Sequence, residues 1–96
     1  MMDVDSRVKS LIEALDQLAE DTSVPRNIRR GANDAKDRLT RMKDALDIRL
    51  ASAIFILEEL ANDPNIPMHG RTSVLQLLAG LENTRRDIET SPQVKK

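Results

Sequence analysis

The chain has 96 residues, 40% apolar and 32% charged, which bounds it to one domain with a modest core and argues against wholesale disorder. Cysteine is absent, which excludes disulfides, thiolate catalysis and zinc–sulfur sites, and no apolar run approaches the ~20 residues of a membrane span. Net charge is −1 but unevenly spread: residues 1–24 and 47–63 are acidic, 25–46 and 64–96 basic.

The first predicted helix runs from about Val4 to Glu20, with Val4, Val8, Leu11, Ile12, Leu15, Leu18 and Ala19 on one apolar stripe. Asp3 is its expected N-cap, and Asp5 suits the positive end of the helix dipole. A turn at Asp21-Thr22-Ser23-Val24-Pro25 follows, with Ser23 expected to cap the second helix and Pro25 in its first turn. Helix two places Ile28, Ala32, Ala35, Leu39, Met42 and Leu46 at alternating four- and three-residue steps, the pattern of a bundle seam. Gly31 reads there as a weakness worth ~1 kcal/mol against alanine in an exposed helix interior.

No glycine or proline lies between Gly31 and Pro64. A single helix from 25 to 62 would be about 57 Å long, too long for a compact domain of this size. The stripe also changes phase after Leu46, so a turn is expected at 43–47, with Asp44 or Asp47 as cap; one long bent helix is the alternative. Helix three, about 48–62, is apolar around most of its circumference, and Phe55 and Ile56 fall outside the arc of Ala53, Leu57, Leu60 and Ala61. Such a helix is either central or part of a second interface, which makes Phe55 and Ile56 candidate partner-contacting residues. After Asn62-Asp63-Pro64-Asn65-Ile66-Pro67, capped by Asn65, helix four spans about Pro67 to Ile88, with Val74, Leu75, Leu77, Leu78, Leu81 and Ile88 inward. Residues 1–90 form the expected domain and 91–96 a disordered tail. The N-terminus lacks the basic segment and apolar stretch of a signal peptide, and a cytoplasmic location is the default expectation.

Residues 15–29 recur as 57–71, sharing two leucines, an alanine, an aspartate, a proline and an arginine. Each copy reads as a helix end, a tight turn and the next helix start, so the chain is two tandem helical hairpins with a pseudo-repeat of about 42 residues. That period falls among helical solenoids, but two units are too few to bury a continuous solenoid core. The expected fold is therefore an all-α, four-helix up-and-down bundle. Basic Arg29, Lys36 and Lys43, flanking the helix-two seam, are placed to meet the acidic helices one and three and to penalise wrong pairings.

The segments Asp21–Arg29 and Asn62–Thr72, with the helix ending Leu81-Glu82, resemble the signature of an uncharacterised archaeal protein family, UPF0147, over nearly the whole chain. The resemblance implies a small four-helix bundle in an archaeal cytoplasm, and it brings no activity and no functional residues with it.

Asp21 with Arg29, and Asp63 with Arg71, are the duplicated charged pairs. Each arginine either binds an anion or partner, or folds back on its own aspartate and on turn carbonyls to fasten the hairpin; bidentate guanidinium geometry favours the second. His69, the only histidine, has no cysteine or second histidine to build a metal site with, and reads as a solvent-facing first-turn residue. The basic helix carries Arg26, Arg29, Arg30, Lys36, Arg38, Arg41 and Lys43, which could contact phosphates. Against that stand the interspersed Asp34, Asp37 and Asp44, a pI near 5.8 and no aromatics to stack bases. There is no Gly-rich phosphate loop, no triad and no Glu-x-x-His pattern, so no catalytic, cofactor or metal residues are assigned. The expectation is a non-enzymatic helical protein-interaction module, self-associating through helix three as a dimer or binding another protein. The alternative is an RNA- or ribosome-associated accessory protein using helix 25–46 with Arg26, Arg30 and Arg41; a small-ligand or metal-binding bundle is a third reading.

Overall fold

The computed structural model describes residues 3–90, and the tail expected at 91–96 lies outside them. Its helices are α1 (Val4–Ala19), α2 (Arg26–Leu39), α3 (Leu46–Ala61) and α4 (Met68–Thr90), and no strand occurs among the described residues. They form an up-and-down bundle 45 Å long and 23 by 21 Å across. The helices pack in cyclic order, α1 on α2, α2 on α3, α3 on α4; the α1–α4 seam that closes the ring is the least extensive of the four. The core is aliphatic: Leu15, Val24, Ile28, Leu39, Leu50, Leu57, Val74 and Leu81 are fully buried. Burial of each such side chain contributes roughly 1.5–3 kcal/mol. Phe55 takes no part in that core, nor do Met42 and Met68, which are exposed.

The α1 start is as expected, with the Asp3 carboxylate accepting from the Ser6 amide at 2.8 Å. The middle of the chain differs from expectation. Leu39 is the last residue of α2, and the break falls at 40–45 rather than 43–47. Met42 therefore leaves the helix-two seam and stands 78% exposed in the loop, while Leu46 opens α3. Helix two ends where the Thr40 amide and hydroxyl both return to the Lys36 carbonyl, at 2.9 and 3.0 Å. Ala45 occupies the α3 N-cap position with no side-chain hydrogen bond, so neither Asp44 nor Asp47 caps that start; Asp47 lies in the first turn. Leu75, expected inward, is half exposed.

The 40–45 loop is a third copy of the duplicated turn. Glu20, Thr40 and Asn62 end their helices with ψ near zero, at 3°, 3° and 1°. Each loop then closes with an amide-to-carbonyl bond three residues back: Val24 to Asp21 at 3.2 Å, Asp44 to Arg41 at 3.1 Å, Ile66 to Asp63 at 3.3 Å. Pro25 and Ala45 launch the following helices from nearly the same extended conformation, φ/ψ −60°/156° and −62°/151°. The proline is thus compatible with the corner but not required by it.

Gly31 is not an exposed weakness. It is buried, and a Cβ there would lie 2.6–2.9 Å from the Leu60 side chain. With Ala32 and Ala35 it lets α2 approach α3 closely, and this is the most extensive helix pair in the bundle.

Candidate interaction surfaces

Three surfaces collect the residues singled out from the sequence. The first is the bundle end where the loops 20–25 and 62–67 lie side by side. Asp21 holds its own loop: one carboxylate oxygen accepts from the Ser23 amide at 2.9 Å and the Ser23 hydroxyl at 2.5 Å. These bonds, the hydroxyl first, hold the Asp21 carboxyl below its ordinary value, with smaller contributions from His69 and Arg29. Asp63 repeats the arrangement, accepting from the Asn65 amide at 2.8 Å, and its other oxygen accepts from the Asn27 side chain across the bundle end. Ser23 and Asn65 therefore donate into aspartate-centred turns, and Pro25 stands at the α2 N-cap without a side-chain bond.

The arginines fasten the same corners through carbonyls. Arg71 Nη1 donates to the Ala61 carbonyl and Nη2 to that of Asp63 at 3.5 Å; Arg29 Nε donates to the Val24 carbonyl at 3.3 Å. The expected fold-back of each arginine onto turn carbonyls is present, while direct contact between each arginine and its aspartate carboxylate is not among these bonds. Arg49 is the third member, its Nη1 donating to the Leu39 carbonyl at 2.9 Å. Arg49 and Arg71 each reach ten residues back to the last residue of the preceding helix. Sequence reasoning missed Arg49 because nothing else in its loop matches the motif. Of the seam cations, Lys36 alone meets an acidic neighbour, Asp16 at 2.8 Å, and that hydrogen bond raises its pKa. Lys43 lies in the exposed 40–45 loop.

His69 is exposed, and its Nε2 lies 2.9 Å from Ser23 Oγ. The resulting Asp21–Ser23–His69 chain has the wrong polarity for a nucleophilic serine. A triad places the carboxylate behind the imidazole and turns the hydroxyl proton toward it. Here the carboxylate contacts the hydroxyl directly, so Ser23 Oγ–H donates its hydrogen bond to Asp21, and a lone pair of the hydroxyl oxygen is what it offers His69 Nε2. The cluster ties the 20–25 loop to the start of α4. Among the described residues no group of three His, Asp or Glu side chains is placed to hold a metal ion.

The second surface is the outer face of α2. Arg26, Arg30, Arg38 and Arg41 are all exposed and form no ion pair with another described residue. Asn33, Asp34 and Asp37 are exposed on the same helix and interrupt the basic stretch.

The third surface is the outer face of α3. Ile48 and Phe55, two turns apart, are 53% and 61% exposed. Ala51 and Ser52 lie half-buried between them, and Ile56, expected outside with Phe55, is half-buried and packs partly on the core. A shallow groove between α2 and α3 is lined by Asp34, Arg38, Ile48, Ala51, Ser52, Phe55, Ile56 and Glu59. A second, between α3 and α4, is bounded by Phe55, Glu58, Glu82, Arg85 and Arg86. Phe55 is the ridge between them.

Fold and surfaces together define a small all-α bundle turned at three copies of one arginine-fastened corner, with an apolar ridge left outside its core. The profile of the Uncharacterised protein family (UPF0147) matches residues 1–84, and the chain belongs to that family. The UPF0147 protein of Thermoplasma volcanium is 46% identical over 71% of this chain and 76% of its own length, and that of Pyrococcus abyssi 43% identical over 88% and 100%. The crystal structure of a UPF0147 protein from Thermoplasma acidophilum superposes with a TM-score of 0.80 at 39% identity, covering 84% of this chain and 96% of that one. A second crystal structure, of the protein of unknown function MMP1188, gives 0.81 at 36% identity, with 85% and 93% covered. The Thermoplasma and Pyrococcus relatives are archaeal, and the family is uncharacterised, so no activity comes from it.

Proposed function

We propose that this protein is a non-enzymatic, cytoplasmic helical interaction module whose docking face is the outer side of α3. The observation that carries this reading is the placement of Phe55, the only aromatic residue, outside an otherwise aliphatic core. A large apolar side chain contributes more to stability inside a core than outside it, and exposed apolar residues grouped with polar flanks mark association surfaces. No helix of the described residues is long and apolar enough to cross a membrane. The test is affinity capture from native lysate with wild type and Phe55→Glu, after circular dichroism shows equal helicity. Proteins held by wild type should be lost from the variant. Equal capture by both would remove α3 as the docking face.

A second reading rests on the four exposed arginines of α2 and the following loop, which form no ion pair with another described residue. They would contact an RNA backbone, and Asp34 and Asp37 argue for a modest affinity. A gel shift with RNA whose affinity falls steeply between about 50 and 200 mM salt supports it. Binding unchanged in Arg30→Glu and Arg41→Glu would set it aside.

A further inference from the structure

Resting on the α3 reading, we infer that the partner of this face is a second copy of the chain, joined through an antiparallel two-fold contact of α3 on α3. Three features of the face point to this occupant. The first is shape. Ile48, Ala51, Ser52 and Phe55 stand at positions i, i+3, i+4 and i+7 and line one groove. That spacing is the four-residue hole into which a facing helix inserts a side chain. Phe55 is the matching knob, and the small Ala51 and Ser52 leave the floor of the hole low. With the dyad crossing α3 between Ser52 and Phe55, each Phe55 enters the hole of the other copy. Knob and hole on one surface are what a self-complementary contact requires.

The second is charge. A dyad perpendicular to α3 reverses the helix direction and keeps the α2 flank opposite the partner's α2 flank, and the α4 flank opposite its α4 flank. Asp34 and Arg38, one turn apart on the edge of the α2–α3 groove, are then exchanged, so Asp34 of each copy faces Arg38 of the other. On the α4 flank, Glu58 lies toward the C-terminal end of α3, and Arg85 and Arg86 belong to the part of α4 that runs beside its N-terminal half. Reversal carries Glu58 toward the arginines of the second copy. A dyad parallel to α3 would instead set each α2 flank against the partner's α4 flank, and the exchange of Asp34 with Arg38 would be lost.

The third is area. Sixteen residues make α3 about 24 Å long, and the bundle is 21–23 Å across, so the face offers on the order of 500 Å² per copy. The total, about 1,000 Å², lies at the low end of specific interfaces and fits a reversible, concentration-dependent dimer rather than an obligate one.

Sedimentation of the purified chain should show the mean mass rising toward twice the monomer value through roughly 1–100 µM. Phe55→Glu should remain monomeric with unchanged helicity. Arg38→Glu should weaken the dimer, and the swap Asp34→Arg with Arg38→Glu should restore it. Orientation is read with single cysteines in this cysteine-free chain. Ser52→Cys, close to the dyad, should cross-link under mild oxidation. Ile48→Cys, about 16 Å from its symmetry mate along the helices, should not, since a disulfide needs Cα atoms within about 7 Å. Efficient cross-linking of both would overturn the antiparallel arrangement, and a wild-type monomer throughout that range would overturn the dimer. In the latter case, Phe55-dependent capture of a different protein would leave the α3 reading standing. A dimer indifferent to Phe55→Glu would sink the inference, and equal capture of lysate proteins by wild type and that variant would sink the α3 reading as well.

Discussion

At the scale of single residues, several side chains play a different part from the one their type suggests. Glycine within a helix is ordinarily replaced by alanine with a gain of up to ~1 kcal/mol. At Gly31 the Cβ would press on Cγ and both methyls of Leu60, and overpacking of that kind costs about 1–3 kcal/mol. Gly31→Ala should therefore lower the thermal midpoint, and a rise would show that Leu60 moves aside at little cost. Asp21 offers a second test. Its carboxyl is held below the ordinary 3.8 by the Ser23 hydroxyl and amide, so the unfolded chain takes up that proton first as pH falls. The stabilisation is fully present above pH ~4 and disappears as pH drops through the lower folded-state value. Asp21→Asn should lower stability at neutral pH and flatten its decline as pH falls below the ordinary carboxylate value of 3.8, measured by urea unfolding. An unchanged acid slope would dismiss Asp21 as a contributor.

At the scale of elements, the corners explain what was legible from the residues and what was not. Pro25 and Pro67, with the aspartates four positions before each, marked two corners clearly. The middle corner carries Ala45 in place of the proline and Arg41 in place of the aspartate, leaving Arg49 as its one obvious shared residue. Periodicity then misled: Met42 and Leu46 continue the spacing of Ile28 to Leu39 although the helix has already ended. A stripe records spacing, and it cannot register that the backbone has turned. The contacts between corners, Asn27 with Asp63 and Ser23 with His69, were invisible because each depends on bundle closure between residues 36 and 46 apart. The α3 ridge, by contrast, was readable from an excess of apolar residues that one core could not absorb. Because Arg49 and Arg71 both bind the carbonyl ending the preceding helix, Arg49→Lys and Arg71→Lys should each cost about 1 kcal/mol or more. A fall of several degrees in the melting midpoint would match that estimate for a domain of this size. If Arg71→Lys alone destabilises, the middle corner is held by packing rather than by its arginine.

At the scale of the whole molecule, the alternation of acidic and basic segments contributes less to the fold than its regularity suggests. Two ion pairs stand out among the described residues, Asp16–Lys36 between α1 and α2 and Arg7–Asp87 between α1 and α4. Exposed pairs of this kind are each worth about 0–1 kcal/mol. The bundle is held chiefly by its aliphatic core and by close α2–α3 packing. Charge has more to decide on the outer faces, where Asp34 and Arg38 lie beside the Phe55 ridge.

The seam between α1 and α4 also orders events in time. Every other seam of the ring joins neighbours along the chain across a six-residue loop, so those contacts close with little loss of loop entropy. Only α1 with α4 must wait for the chain to come full circle, and it has the smallest contact, with Leu11 seated against Gly80. Docking of α1 on α4 is then expected to come last in folding and to reverse first in unfolding. In native-state hydrogen exchange the amides of α1 should open at lower free energy than those of α2 and α3. Uniform protection across all four helices would mean that the ring closes as one unit.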